Sequence, residues 1–237
     1  MHISEGVLPG SILAAGWIIT AALIIISVIW SRKKLGDISE KIPLVAVTTA
    51  AFFVACQFKI PMYPTSLHLV LSGMAGILLG PLAFICIFIG LLLQALLLQT
   101  GGITVLGVNS FVMGLPAMLA YFVYHACAKR TKSAIAAGTA SIFSIFLSTI
   151  LLAIVLTASG VTFGNLNALY GVVANIPVLS SIAFALSETN FGLTLFLLLF
   201  MNLPLMIVEG IICAFLVPFI EKVKPEMLNS ETLNKNS

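Results

Sequence analysis

The residues most able to do chemistry stand at the start of the chain and near position 68. Met1-His2 offers three nitrogens in a row: the α-amine, the His2 amide and the His2 imidazole Nδ1. Together they can wrap one metal ion in fused five- and six-membered chelate rings. Three nitrogens in a plane leave one corner open, and His68, in Pro64-Thr65-Ser66-Leu67-His68, can supply it. Nitrogen ligands in square-planar or tetragonal geometry favour Ni²⁺ or Cu²⁺, and Co²⁺ is feasible in the same set. The amine has a reference pKa of about 8, and ligands shed protons to bind, so affinity should rise with pH. The bland alternative is that a lone histidine is structural and that many chains begin Met-His. The third histidine, His125, lies near Lys129 and Arg130 and reads as an interfacial residue outside the site.

A ligating imidazole usually hands its other nitrogen to a carboxylate, carbonyl or water. Glu5, Ser66, Thr104 and Asn109 are the candidates for such support. Asn109, beside Gly101-Gly102 and Gly107, reads equally well as a loop cap, and Glu5 as a solvated charge. Glu209 is a different case, because an acid within an apolar helix is costly and marks function by default. The expectation is a buried carboxyl bonded to another helix, too far towards the inner side to touch the outer site. Asn202, Gln94 and Gln99 are expected to make interhelical hydrogen bonds of about 0.6 to 2 kcal/mol each.

The elements that must position these groups are membrane helices. Of 237 residues, 60% are hydrophobic and 8% charged, with a mean hydropathy of +1.18. Soluble domains carry about 25% charged residues, so this chain cannot clothe a water-facing surface. In lipid the backbone must satisfy itself, which leaves helices or closed barrels, and the apolar runs are continuous rather than alternating. The expected fold is all-α: a polytopic bundle of about seven transmembrane helices. The spans read as 8–30, 42–58, 66–80, 82–99, 107–128, 134–158 and 192–220, with Gly80-Pro81 breaking the third from the fourth. The stretch 159–191 reads as a structured loop with a partly inserted helix. Residues 1–221 form one transmembrane domain and 222–237 a polar cytoplasmic tail.

Lysine and arginine are retained in cytoplasmic loops. With seven spans and the N-terminus outside, ten of the eleven basic residues fall inside and only Lys59 outside. That orientation gathers Met1-His2 and the 59–68, 100–109 and 159–191 segments on the outer face. No basic, apolar and cleavable signal pattern opens the chain, and the bulky His2 predicts that Met1 is retained. The four cysteines, Cys56, Cys86, Cys127 and Cys213, are scattered without a metal-binding spacing and read as small buried side chains.

Met1 to Leu8 (MHISEGVL) resembles the start of the CbiM/NikM family, the substrate-binding subunits of energy-coupling-factor (ECF) ABC transporters for cobalt and nickel. Thr65–Pro81 (TSLHLVLSGMAGILLGP), Gln94–Pro116 (QALLLQTGGITVLGVNSFVMGLP) and, more weakly, Pro204–Gly210 (PLMIVEG) are similar to that family too. The resemblance implies metal ligands at Met1 (amine), His2 (amide and imidazole) and His68. Where many members have a Ser/Thr/Gly-rich run after the second histidine, this chain has Leu69-Val70-Leu71, which leaves the choice of metal open. It further implies ATP-driven uptake of Co²⁺ or Ni²⁺ across a prokaryotic-type inner or plasma membrane, with no resident cofactor. The implied partners are a transmembrane coupling (T) subunit, ATPase (A) subunits, a small accessory membrane subunit and the lipid bilayer, with no nucleic acid. The phosphate-cradling G-x-x-x-x-G-K-[S/T] loop is absent, so hydrolysis is expected in a separate chain. The Ala46/Ala50/Ala51/Ala55 face is the expected docking surface for the coupling subunit.

Two rivals have less to stand on. A self-sufficient secondary metal-ion transporter should show internal repeats and paired broken helices around a midplane site, and neither is evident. An intramembrane enzyme would need a motif such as G-x-S-x-G or H-E-x-x-H, and both are absent.

Overall fold

The structure is a computed structural model that describes residues 2–35, 38–62, 65–160 and 190–228. The chain runs β1 (His2–Ile3), α1 (Gly10–Leu35), α2 (Ile42–Ala55), β2 (Lys59–Met62) and β3 (Thr65–His68). It continues through α3 (Ser72–Leu79), α4 (Ala83–Leu98), α5 (Leu106–Ala128), α6 (Ser133–Ala158) and α7 (Asn190–Val223). Among the described residues, six helical segments are long and apolar enough to cross a membrane, with Ser72–Leu98 counted as one. The protein is a multi-pass α-helical membrane protein. The proposed loop at 159–191 falls almost entirely outside the described residues, as do Met1 and the end of the tail.

The third expected span takes another form. Residues 65–68 are a strand rather than the start of a helix, and α3 has only eight residues. At 1.5 Å per residue it is about 12 Å long, too short for a bilayer core of about 30 Å. Leu71, at φ +52°, ends the extended run and Gly80, at φ +56°, begins the 3-10 turn Gly80–Leu82 that feeds α4. The Ser27 hydroxyl donates to the Pro81 carbonyl at 2.6 Å, about 25 Å along α1 from Gly10. The α3–α4 segment thus dips deep into the bundle and climbs back to the end where it began.

Burial sorts the helices. The most apolar window of α1 is 17% buried, against 67% for that of α5, so α1 lines the lipid-facing rim and α5 the centre. Small residues bring the two together: the backbone of Trp17 and Val108 packs where a Cβ on Gly107 or Gly16 would have to sit. Helix hydroxyls satisfy themselves locally, as Thr48 does on the Leu44 carbonyl and Thr149 on that of Ile145. Asn202 behaves likewise, donating to the Leu198 carbonyl of its own helix rather than across helices. Gln99 also departs from expectation, since it is the exposed, left-handed residue that ends α4.

At the end of the bundle where α5 begins sits a three-stranded antiparallel sheet, in the order β1-β3-β2. His2 lies opposite Ser66 and Ile3 opposite Thr65, while Lys59 lies opposite His68. A strand of two residues cannot hold itself in place, and two further interactions secure it. Ile3 is fully buried in the main core. Its backbone is also bound on the side away from β3, by Asn109.

Candidate metal centre

The register explains how two histidines distant in sequence come together. Side chains on a strand alternate, so Ser66 and His68 share a face of β3, and His2, opposite Ser66, stands diagonal to His68. Diagonal neighbours in an antiparallel pair lie within reach of ring side chains. The imidazoles stack with centroids 4.3 Å apart and planes 29° from parallel. His2 is 4% exposed and His68 1%. The Nδ1 atom of His68 lies 3.4 Å from the Leu69 carbonyl oxygen. With the proton on Nδ1, Nε2 is the ring nitrogen with the chemistry of a metal ligand.

Asn109, in the first turn of α5, secures β1. Its Oδ1 accepts from the Ile3 N–H at 2.9 Å and its Nδ2 donates to the Ile3 carbonyl at 3.1 Å. The side-chain amide thus imitates a strand edge and completes the pairing of Ile3. It supports the site through the backbone next to His2, and not by bonding an imidazole. The Gly101-Gly102 turn closes one side of the site. Gly102, at φ +114°, leaves room for Glu5, whose carboxylate lies where a Cβ would project. An ideal Cβ on Gly101 would come within 3.7 Å of the His2 ring.

The sequence-selected residues therefore fall at unequal distances from the centre. His2, His68, Ser66 and Asn109 converge, with Glu5 exposed at the rim beside Gly102. Thr104 is exposed, and its carbonyl accepts from the Trp17 indole at 3.2 Å. Met1 lies outside the described residues. His125 stands apart, bonded at 2.9 Å to the Tyr121 carbonyl and packed against Tyr121 and Tyr124. Among the described residues no three His, Cys, Asp or Glu side chains converge.

Glu209 is buried, as the sequence implies, but its partner is not another helix. Instead its Oε1 accepts from the Val70 N–H at 2.5 Å and its Oε2 from the Leu71 N–H at 3.0 Å. The error followed from reading 66–80 as a helix: the extended run after His68 descends to the depth of Glu209. The signal lay in the apolar helix itself, where a lone acid demands donors, and backbone N–H groups freed by a non-helical segment are the ones available.

Residues 2–227 match the family model described as CbiM, cobalt uptake substrate-specific transmembrane region. A cobalt transport protein CbiM of Nostoc sp. is 32% identical over 79% of this chain and 74% of its own length. One of Clostridium tetani is 29% identical over 94% and 85%. A Haemophilus influenzae protein named for metal transport is 44% identical, but the match spans 52% of this chain and 57% of that protein. A crystal structure titled as a truncated transition metal transporter has the same fold, with a TM-score of 0.74 at 22% identity, over 94% of this chain and 99% of that one. The chain belongs to the CbiM family of cobalt-uptake membrane components.

Proposed function

We propose that this chain is the substrate-binding membrane subunit of an ATP-driven uptake transporter for Co²⁺ or Ni²⁺. It holds the ion at the outer face through the Met1 α-amine, the His2 amide and imidazole, and His68. The observation that carries this reading is the pair of buried, stacked imidazoles, joined by strand register and tethered through Asn109. Stacked rings present their nitrogens side by side, so a small tilt converges one from each on an ion at the edge of the stack. The pairing of His2 with Ser66 supports this reading, in which the Met1 amine and the His2 amide complete the set. Hydrolysis belongs to separate ATPase subunits, and the coupling subunit docks from within the membrane. The purified chain is accordingly expected to bind metal without hydrolysing ATP.

The test is positional. Adding one residue before Met1 turns the primary amine into an amide and moves the imidazole to third place, while every side chain remains. Nickel and cobalt are titrated by calorimetry into untagged, N-terminally extended and C-terminally tagged protein, with the fold checked by circular dichroism. The extended form should lose binding and the C-terminally tagged form should keep it. Equal affinities in all three would remove the amine from the ligand set.

A further inference from the structure

Glu209 is fully buried in α7, and both of its carboxylate oxygens are spent on the backbone of one short segment. That segment begins two residues after His68. It contains Leu71, held at φ +52° in the left-handed region that costs a side-chain-bearing residue about 1 kcal/mol or more. Two hydrogen bonds from a fixed helix hold that conformation. The grip continues beyond Leu71. The Ser72 hydroxyl lies 2.9 Å from that of Ser144 on α6, and Gly73 packs on the Ser141 backbone with no room for a Cβ. His68 is thus fixed from two directions. Its strand is laddered to β1 and β2, and the exit from that strand is clamped to α6 and α7.

Resting on the ligand set proposed above, we infer that Glu209 is a positioning residue for the metal centre: its carboxylate holds the Val70–Leu71 backbone and thereby sets where His68 stands relative to His2. A carboxylate suits the task because it presents two acceptors to two N–H donors. Glutamine has nearly the same shape but offers one acceptor, and its amide would aim a donor at the second N–H. Any displacement of α7 would reach the centre through this bond, without the helix touching the ion.

The experiment uses the full chain with a free N-terminus and a C-terminal tag. It reads Ni²⁺ and Co²⁺ affinity by calorimetry and the d–d absorption of the bound ion. Glu209→Gln should weaken binding by about tenfold to a hundredfold, the range typical for residues that orient ligands, and should shift the absorption band. Asn202→Leu, on the same helix but bonded only to its own turn, is the control. It should change thermal stability while leaving affinity and band in place. If Glu209→Gln does not fold, Glu209→Asp decides, because it keeps the charge and shortens the reach by one methylene. It should also weaken binding, by a smaller factor. Wild-type affinity and spectrum in a folded Glu209 variant would overturn the inference, as would an equal loss in Asn202→Leu. Failure of the unaltered chain to bind either ion would instead overturn the ligand set, and this inference with it.

Discussion

The end of the bundle that carries the proposed metal centre (the metal end) and its α2–α4 flank use different means to hold their shape. At the metal end, short strands, a glycine turn and two buried side chains, Asn109 and Glu209, fix backbone atoms through directional bonds. On the flank, Ile42, Ala46, Ala50 and Phe53 of α2 face Ile89 and Leu93 of α4 across an apolar groove of about 430 Å³. There each helix satisfies its own backbone, and the side-chain hydrogen bonds between the two are those of weakly bonding thiols, Cys86 with Thr49 and Cys56 with Gln94. Hydrophobic contact tolerates displacement, whereas a chelate does not. The polar bonds are concentrated at the end where small errors in position would matter.

The comparison breaks most sharply at a proposed ligand. His68→Ala removes one of two imidazoles and leaves the helices intact, so nickel or cobalt affinity should fall by more than about a hundredfold with unchanged helicity. Calorimetry beside circular dichroism reads both, and unchanged binding would take His68 out of the site. A smaller effect is expected one step away. Asn109→Ala leaves the Ile3 N–H and carbonyl unpaired in a buried setting, at a cost of about 1 to 3 kcal/mol per group. The strand carrying His2 should loosen, and affinity should drop about tenfold, in the range seen for supporting residues. A folded Asn109→Ala protein with full affinity would show that β1 needs only its pairing with β3.

Proton competition is expected to be gentler. The ligands proposed are an amine, with a reference pKa of about 8, imidazoles, with one of about 6.5, and the His2 amide nitrogen, which releases its proton on binding. Affinity should therefore rise most steeply with pH across that range and continue to rise above it as the amide proton is displaced. Titrations at stepped pH check this, and a flat profile would argue against the amine.

How much of this could be read from the residues alone differs between the two regions. The helices were legible because long apolar runs in lipid have few other solutions. So was the gathering of His2 with residues 59–62, 65–68 and 101–109, because the placement of lysine and arginine put those segments at one end. The strand at Thr65–His68 was not legible. Its main partner in forming the site is a pair of residues more than sixty positions away, and four residues carry too little alternation to outweigh the apolar run that follows. Once 66–80 was read as a helix, the partner of Glu209 was taken to be a helix too. The role of Asn109 was half legible: its place beside a glycine turn indicated a capping side chain, but the strand that it caps was not in view. The alanine face of α2 was legible as a small-residue pattern, yet it divides in the structure. Ala46 and Ala50 line the groove, whereas Ala55 is buried in the protein.

The smallest expected effect on metal binding comes from that flank, and its smallness gives the prediction its force. If the groove receives a helix of the coupling subunit, filling it should spare the metal centre and disable transport. Ala50→Phe projects a ring into space bordered by Ala46, Phe53 and Leu93, displacing whatever packs there. His2, His68, Asn109 and Glu209 are not among the residues that line the groove, and the bonds of Asn109 and Glu209 run to β1 and to the segment after β3. Affinity for nickel and cobalt should therefore stay within about twofold of the unaltered chain. In cells carrying the whole transporter, uptake of radioactive metal should fall, and less ATPase subunit should be recovered with a C-terminally tagged chain. Reduced binding by the isolated Ala50→Phe protein would show that the two regions are mechanically joined, against the comparison drawn above. Full uptake with full recovery of the ATPase subunit would show that the coupling subunit docks on another face, and the groove would then be a lipid-filled seam between two helices.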